Sequence, residues 1–350
     1  MTSGRREFDP DQRAAIDVDR NAVVSAGAGS GKTTVLVERY ARLVEQRGLT
    51  VDSILALTFT RKAAAEMNSR IYARLSGSAE PRAAEQLALF DTARISTLDS
   101  FCGSIARGAA HRYGIPPDFA VDEARLERAA DEVAVELLMD RREDPALRRL
   151  VATLGFDRVR RAFFSALAVN HIGIARRPAF GADARRQIAA LKTELSRAAA
   201  DLQTACEAVL AIDEDGGDSL EKAKNLIAGL LPLPSGTDDG DAAELVRRAA
   251  ILAGGELRRP GAVKRPGLAL LKELIEPVKA AAGEIRILAD SYASREDIVA
   301  VGDLLDDLAR RFLERKRREG VLSFQDSAEL ANDILIHDLE IRGYYKRRLK

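Results

Sequence analysis

Ser25-Ala-Gly-Ala-Gly-Ser-Gly-Lys-Thr-Thr34, SAGAGSGKTT, is the stretch from which the rest of the chain is read. It matches the phosphate-cradling pattern G-x-x-x-x-G-K-[ST] except at its first position, where Ala26 stands for glycine. Gly27, Gly29 and Gly31, interleaved with Ala28 and Ser30, let the backbone wind tightly enough to aim successive N–H groups at phosphate oxygens. Lys32 is positioned to reach the β- and γ-phosphates, Thr33 to ligate magnesium, and Thr34 to continue into a helix whose positive end faces the anion. The flanks agree. AVVS at 22–25 reads as a short strand before the loop. Val35, Leu36, Tyr40, Leu43 and Val44 make one face of a helix after it. The competing reading is a glycine-rich strand-to-helix turn with an incidental lysine, and motif and context together count against it.

Strands and helices alternate outward from this loop. SILALTFT at 53–60 reads as a second, buried strand, followed by the helix former RKAAAEMNSRIYARL. ARIST at 93–97 is a third strand leading into LDSFCGSIARGAAHRYG. That alternation predicts an α/β fold with a parallel sheet covered on its faces. After YGIPPDF at 113–119 the pattern changes to helical period, and it stays so to about residue 320. In one such helix Ile298, Val301, Leu304, Leu305, Leu308 and Phe312 form a stripe, with basic residues and Gly320 at its end. LLPLPSGTDDGD at 230–241 and RRPGAVKRPG at 258–267 read as exposed loops or linkers. ERKRRE at 314–319 reads as a solvated helix end. Ser323 and Asp326, three apart in LSFQDSAELANDIL, predict a capping box.

Composition sets outer limits. Across 350 residues Lys+Arg and Asp+Glu balance at 54 each, so nucleic-acid binding would rest on a local patch and not on a general basic field. Two distant cysteines, Cys102 and Cys206, make no disulfide framework and suit a reducing compartment. The first residues carry no apolar leader segment, and no run approaches membrane-spanning length, which points to a cytoplasmic protein with no membrane partner. His111, His171 and His337 lack metal-ligand spacing.

Three further stretches narrow the possibilities. FDPDQRAAI precedes SAGAGSGKTT, and ILALTFTRKAAAEM and ISTLDSFC follow it in order. This series resembles the UvrD/Rep group of superfamily 1 DNA helicases, and within it the AddA and RecB helicase subunits. In that group the loop commonly begins with Ala, so Ala26 fits. The resemblance implies a P-loop NTPase (RecA-like) fold with a large all-helical insertion subdomain. Residues 1–118 would be the first part of the motor domain, 119–320 the insertion, and 321–350 the return. It also implies ATP and Mg2+ as cofactors, single-stranded and duplex DNA as partners, and 3'-5' movement in DNA repair or recombination. A second subunit of the AddB or RecC kind belongs to the same picture.

Residue by residue, Gln12 matches the glutamine that reads the adenine edge, since an amide donates and accepts at once. On spacing alone Gln12 is a helix-surface residue. Thr58, Phe59, Thr60 and Arg61 match a motif holding single-stranded DNA, with Phe59 stacking on a base or, alternatively, filling a core. Thr97 and Ser100 match the next DNA-contacting motif, in which Asp99 replaces a common histidine.

The acid that P-loop enzymes use for hydrolysis is harder to find. Asp122 and Glu123 follow three apolar residues, but Asp122 reads as a helix N-cap. Asp213 and Glu214 follow five, but they end the helical register of Leu191, Leu195, Leu202 and Val209. The family pattern puts the Asp-Glu strand after the return segment, which leaves the chain ending at Lys350 before it. The expectation is therefore the N-terminal part of an ATP-dependent DNA helicase, with an isolated chain that is weak or inactive. The alternatives are an ATP- and DNA-binding module with little hydrolysis, and a P-loop phosphotransferase.

Overall fold

The structure is a computed structural model and describes residues 7–27, 29–175, 178–235, 239–261 and 265–349. In chain order the first elements are α1 (Pro10–Asp17), α2 (Lys32–Glu45), β1 (Leu55–Thr58), α3 (Arg61–Ser76), α4 (Pro81–Leu87), β2 (Arg94–Thr97), α5 (Leu98–Ala109) and β3 (Ala120–Val121). Then come α6 (Glu123–Asp140), α7 (Pro145–Leu154), a π-helical stretch (Arg158–Ser165), α8 (Ala166–His171), α9 (Phe180–Leu210), α10 (Gly217–Ala228) and α11 (Asp239–Ala253). The last are α12 (Pro266–Ala293), α13 (Arg295–Glu319), β4 (Val321–Leu322), α14 (Phe324–His337) and α15 (Leu339–Arg348). Two compact units result: Met1–Ala130 with Val169–Arg177 and Phe312–Lys350, and Asp131–Ala168 with Pro178–Arg311.

The first unit holds both parallel strand pairs. β1 and β2 run in register from Leu55 opposite Arg94 to Thr58 opposite Thr97. Ala120 and Val121 of β3 pair with Val321 and Leu322 of β4. Against β1 and β2 pack Val37, Tyr40, Ala41 and Val44 of α2 and Met67, Ile71 and Leu75 of α3, all buried. The Tyr40 hydroxyl donates to the Val51 carbonyl at 3.1 Å, so the ring is buried without an orphaned polar group. Ile71 and Leu75 are almost without solvent contact, and truncation of either to alanine removes about 2–5 kcal/mol. Helix α15 touches the start of β2, where Arg94 donates to the Tyr344 hydroxyl at 3.3 Å. Tyr345 meets Phe101 edge-on at 5.7 Å, and Arg348 pairs with Asp52 at 2.8 Å.

Among its described residues the second unit is helical. Leu195, Ala198, Leu202, Cys206 and Val209 of α9 share a buried face at the three-to-four spacing of an amphipathic helix. They meet Leu245 and Leu252 of α11 and Ile275, Val278 and Ile285 of α12. Helix α9 has no side-chain cap of its own. Asp306 of α13 supplies one, accepting from the N–H groups of Phe180 at 2.8 Å and Gly181 at 3.0 Å. The two helices approach where both lack a side chain. A Cβ on Gly302 would lie 3.0 Å from the Gly181 Cα and 3.1 Å from the Phe180 carbonyl. Next to this crossing Asp307 accepts from Arg141, Arg310 and Arg311. Burial alone would raise its pKa, yet the hydrogen bonds from Arg311, Arg141 and Arg310 hold it below the usual carboxylate range.

Several expectations need correction. AVVS at 22–25 is not a strand: it has no ladder partner among the described residues, and Val23 and Val24 are 98% and 58% exposed. β-branched residues supply only a preference, and a strand exists through its neighbour. The 53–60 strand is shorter than read, and it is not buried, since Leu57 is also exposed. Leu36 leaves the inner face of α2, which Val37 and Ala41 complete instead. The run 314–319 is not a solvated helix end at Lys316. That side chain is 1% exposed and its ammonium donates to Asp326 at 2.8 and 3.0 Å and to the Ile172 carbonyl at 2.7 Å. Burial pushes the Lys316 pKa below the ordinary lysine value, against the pull of the Asp326 carboxylate. The Ser323–Asp326 capping box forms as read, and Gly320 takes the left-handed conformation beyond α13. The loops at 230–241 and 258–267 fall partly outside the described residues, at 236–238 and 262–264.

Candidate functional site

The glycine-rich loop leads directly into α2. Gly29 and Gly31 have φ of 77° and 79°, the left-handed conformation that side-chain-bearing residues avoid, and Gly31 is the N-cap of α2. Ser30 closes the turn, its hydroxyl donating to the Gly27 carbonyl at 2.8 Å. Lys32 folds back so that its ammonium donates to the carbonyls of Ala26 at 2.9 Å and Gly27 at 2.6 Å. Thr33 and Thr34 lie half-buried in the first turn of α2. Ala28 lies outside the described residues. A Cβ added at Gly27 or Gly29 would meet nothing within 4 Å, so the loop face is open where a phosphate would approach. Cation, helix N-terminus and open glycine face together fit a polyphosphate.

Gln12 joins this loop from α1. Its Nε2 donates to the Ser30 carbonyl at 3.1 Å, and its Oε1 accepts from the Asp9 N–H at 3.3 Å as half of a capping box. Gln12 is therefore tied to the phosphate loop and does not act as a free helix-surface residue.

A second cluster gathers at the C-terminal ends of the two parallel strands. Thr58 and Thr97 are register partners, so the segments after them leave the pair side by side. Phe59 is 95% exposed, which rules out a core role. Thr60 caps α3 by accepting from the Ala63 N–H at 3.1 Å, and Arg61 opens that helix exposed to solvent. Thr97 is buried and caps α5, accepting from the Ser100 N–H at 3.1 Å while donating to the Ser100 hydroxyl at 2.8 Å. Ser100 and Asp99 are exposed beside it. In parallel α/β sheets this strand end is where ligands bind.

Neither acidic pair joins these clusters. Asp122 follows β3, in the other strand pair, and accepts from the Arg125 N–H at 3.0 Å as the N-cap of α6. Glu123 accepts from the Phe324 N–H at 2.9 Å. Asp213 and Glu214 lie beyond the end of α9 in the other unit. Sequence reading missed Arg39 and Arg42 of α2, which bind the far end of α1. Their three-residue spacing, placing both on one helix face, was the available signal.

A glycine-rich loop that opens a helix beside a parallel strand pair has the form of a P-loop nucleotide site. The comparison with known families is more specific: residues 8–350 match the UvrD/REP helicase N-terminal domain, and the chain belongs to that family. The A subunits of several bacterial ATP-dependent helicase/nucleases are similar to its sequence. That of Lachnoclostridium phytofermentans is 38% identical over 151 residues, covering 41% of this chain and 11% of the relative. That of Lactobacillus johnsonii is 40% identical over 150 residues, 39% of this chain and 12% of the relative. That of Desulfitobacterium hafniense is 38% identical over 165 residues, 43% and 12%. The matched stretch thus spans 11–12% of the length of these relatives. Among the described residues no helix is long and apolar enough to cross a membrane.

Proposed function

We propose that this chain is the N-terminal portion of an ATP-dependent DNA helicase of the AddA kind, acting in repair or recombination with 3'-5' movement. The carrying observation is the register of Thr58 with Thr97, which brings two candidate DNA-holding segments together at one end of a parallel strand pair. Exposed Phe59 offers a stacking face there, and Thr58, Thr60, Arg61, Thr97 and Ser100 offer donors to phosphates. ATP supplies, when bound, a phosphoanhydride whose hydrolysis drives stepping. Gln12 would read the adenine edge, Ala26 to Thr34 would hold the phosphates, and Thr33 would hold Mg2+. In this reading 1–118 begins the motor domain, 119–320 is a helical insertion and 321–350 returns to the motor domain. A cytoplasmic location completes the proposal, together with an AddB-like partner protein.

The second reading is a binding module that holds ATP and DNA with little turnover. It is favoured by the absence, among the described residues, of an acidic pair at the end of β1 or β2. An ATPase assay with and without single-stranded oligonucleotide, and with Lys32→Ala as control, separates the two. Lys32-dependent, DNA-stimulated turnover would exclude the binding module. Failure of the chain to bind oligonucleotide at all would overturn both and leave a phosphotransferase.

A further inference from the structure

Helix α1 has eight residues, and none of them is buried. Only Ala15 and Ile16 offer partly covered apolar surface, so polar ties carry much of its placement. At its start Gln12 Nε2 is bound to the Ser30 carbonyl of the phosphate loop. At its end the orphan carbonyls find one cation. Arg39 Nη1 donates to the Val18 carbonyl at 2.5 Å and lies 3.4 Å from those of Ala15 and Ile16. Arg42 pairs with Asp17 at 3.0 Å and with Asp19 at 3.1 Å, and Arg47 donates to Asp19 at 3.1 Å. Arg39 and Arg42 both lie on α2, whose first turn carries Lys32 and Thr33. One rigid element thus carries the phosphate-holding residues and also grips the helix that bears Gln12.

From this geometry we infer that Arg39 is a positioning residue for base recognition. From the end of α1 opposite Gln12 it fixes the angle of that helix, about 12 Å long, and so the place of the Gln12 amide relative to the loop. A guanidinium suits this task because its fork presents several N–H groups to neighbouring carbonyls, whereas an ammonium is a compact point charge. The inference rests on the proposed role of Gln12 as adenine reader, and the test separates the two.

The test is calorimetric titration of the whole 350-residue chain with ATP, GTP and inorganic tripolyphosphate, the last reporting the phosphate loop without a base. Arg39→Ala is expected to weaken ATP binding roughly tenfold and to level the preference for ATP over GTP. Tripolyphosphate affinity should stay within about twofold. Arg39→Lys should restore part of the preference, and it carries the same test at roughly threefold if the alanine variant does not fold. A merely structural role would lower all three affinities together, and that result overturns the inference. So does an Arg39→Ala protein that keeps its preference when Gln12→Ala has lost it. If Gln12→Ala itself keeps the preference, the adenine reading fails and this inference fails with it.

Discussion

Replacing Asp326 by alanine would strand a buried cation. The carboxylate takes two hydrogen bonds from the Lys316 ammonium, one from the Ile174 N–H and one from the Ser323 N–H, the last two at 2.9 Å. In Asp326→Ala the ammonium keeps only the Ile172 carbonyl, and such a group gives up its proton before it remains charged and unpaired. That proton sets a ceiling on the cost. Neutralising a lysine of ordinary pKa about 10.4 at pH 7 costs about 4.6 kcal/mol, at about 1.36 kcal/mol per pH unit. The two abandoned backbone N–H groups add about 1 kcal/mol each if water does not reach them. The expected loss is therefore about 5–7 kcal/mol, at or above the top of the usual range for breaking a buried pair. Its pH dependence has a definite sign. In the variant Lys316 is neutral when folded and protonated when unfolded, so the unfolded state binds more protons and stability rises with pH towards about 10.4. The deficit against the parent chain should narrow by about 2–3 kcal/mol between pH 7 and pH 9. Urea unfolding followed by tyrosine emission reads this, because Tyr40, Tyr72, Tyr113, Tyr344 and Tyr345 all lie in the same unit as the pair. A deficit below about 1 kcal/mol, or one equal at both pH values, would refute the reasoning.

Other outcomes follow from single features. Phe59→Ala should weaken single-stranded oligonucleotide binding by about 1–3 kcal/mol without moving the melting temperature, because the ring is almost fully exposed; fluorescence anisotropy and a thermal melt read the two halves. Gly302→Ala pushes a methyl group against Gly181, Ala184 and the Phe180 carbonyl and should destabilise the helical unit by about 1–3 kcal/mol, seen as faster hydrogen exchange in α9. Asp307→Asn should remove stability at neutral pH. The parent's contribution is complete above the unfolded aspartate value of about 3.9 and disappears as pH falls through the depressed folded value. Acid titrations of the two proteins should therefore converge at low pH, and a constant gap would count against the arginine cluster as the cause.

Local chemistry was the legible part of this sequence. The Ser323–Asp326 box, the Asp122 cap and the Gly320 terminus depend on residues within a few positions of one another, and they form as read. What the sequence concealed depends on distant partners. AVVS has strand composition without a strand beside it. Lys316 sits in a run of charge that looks solvated until Asp326 and Ile172 are placed around it. Arg39 resembles any exposed helix residue until the end of α1 is brought to it. At the candidate site, sequence order located the clusters, while the side-by-side arrangement of Thr58 and Thr97 required the register of the strands.

The hydrogen bonds from Lys32 to its own loop have a bearing on selectivity among cellular anions. At rest the ammonium is already coordinated by two carbonyls, so an incoming anion competes with an internal solvation shell and does not meet a bare charge. A small, singly charged ion gains little from that exchange. A ligand presenting several phosphate oxygens recovers the loss through the loop N–H groups and the end of α2 at the same time. In the proposed nucleotide-binding role, the folded-back lysine would act as a threshold, setting a minimum charge and reach for occupancy.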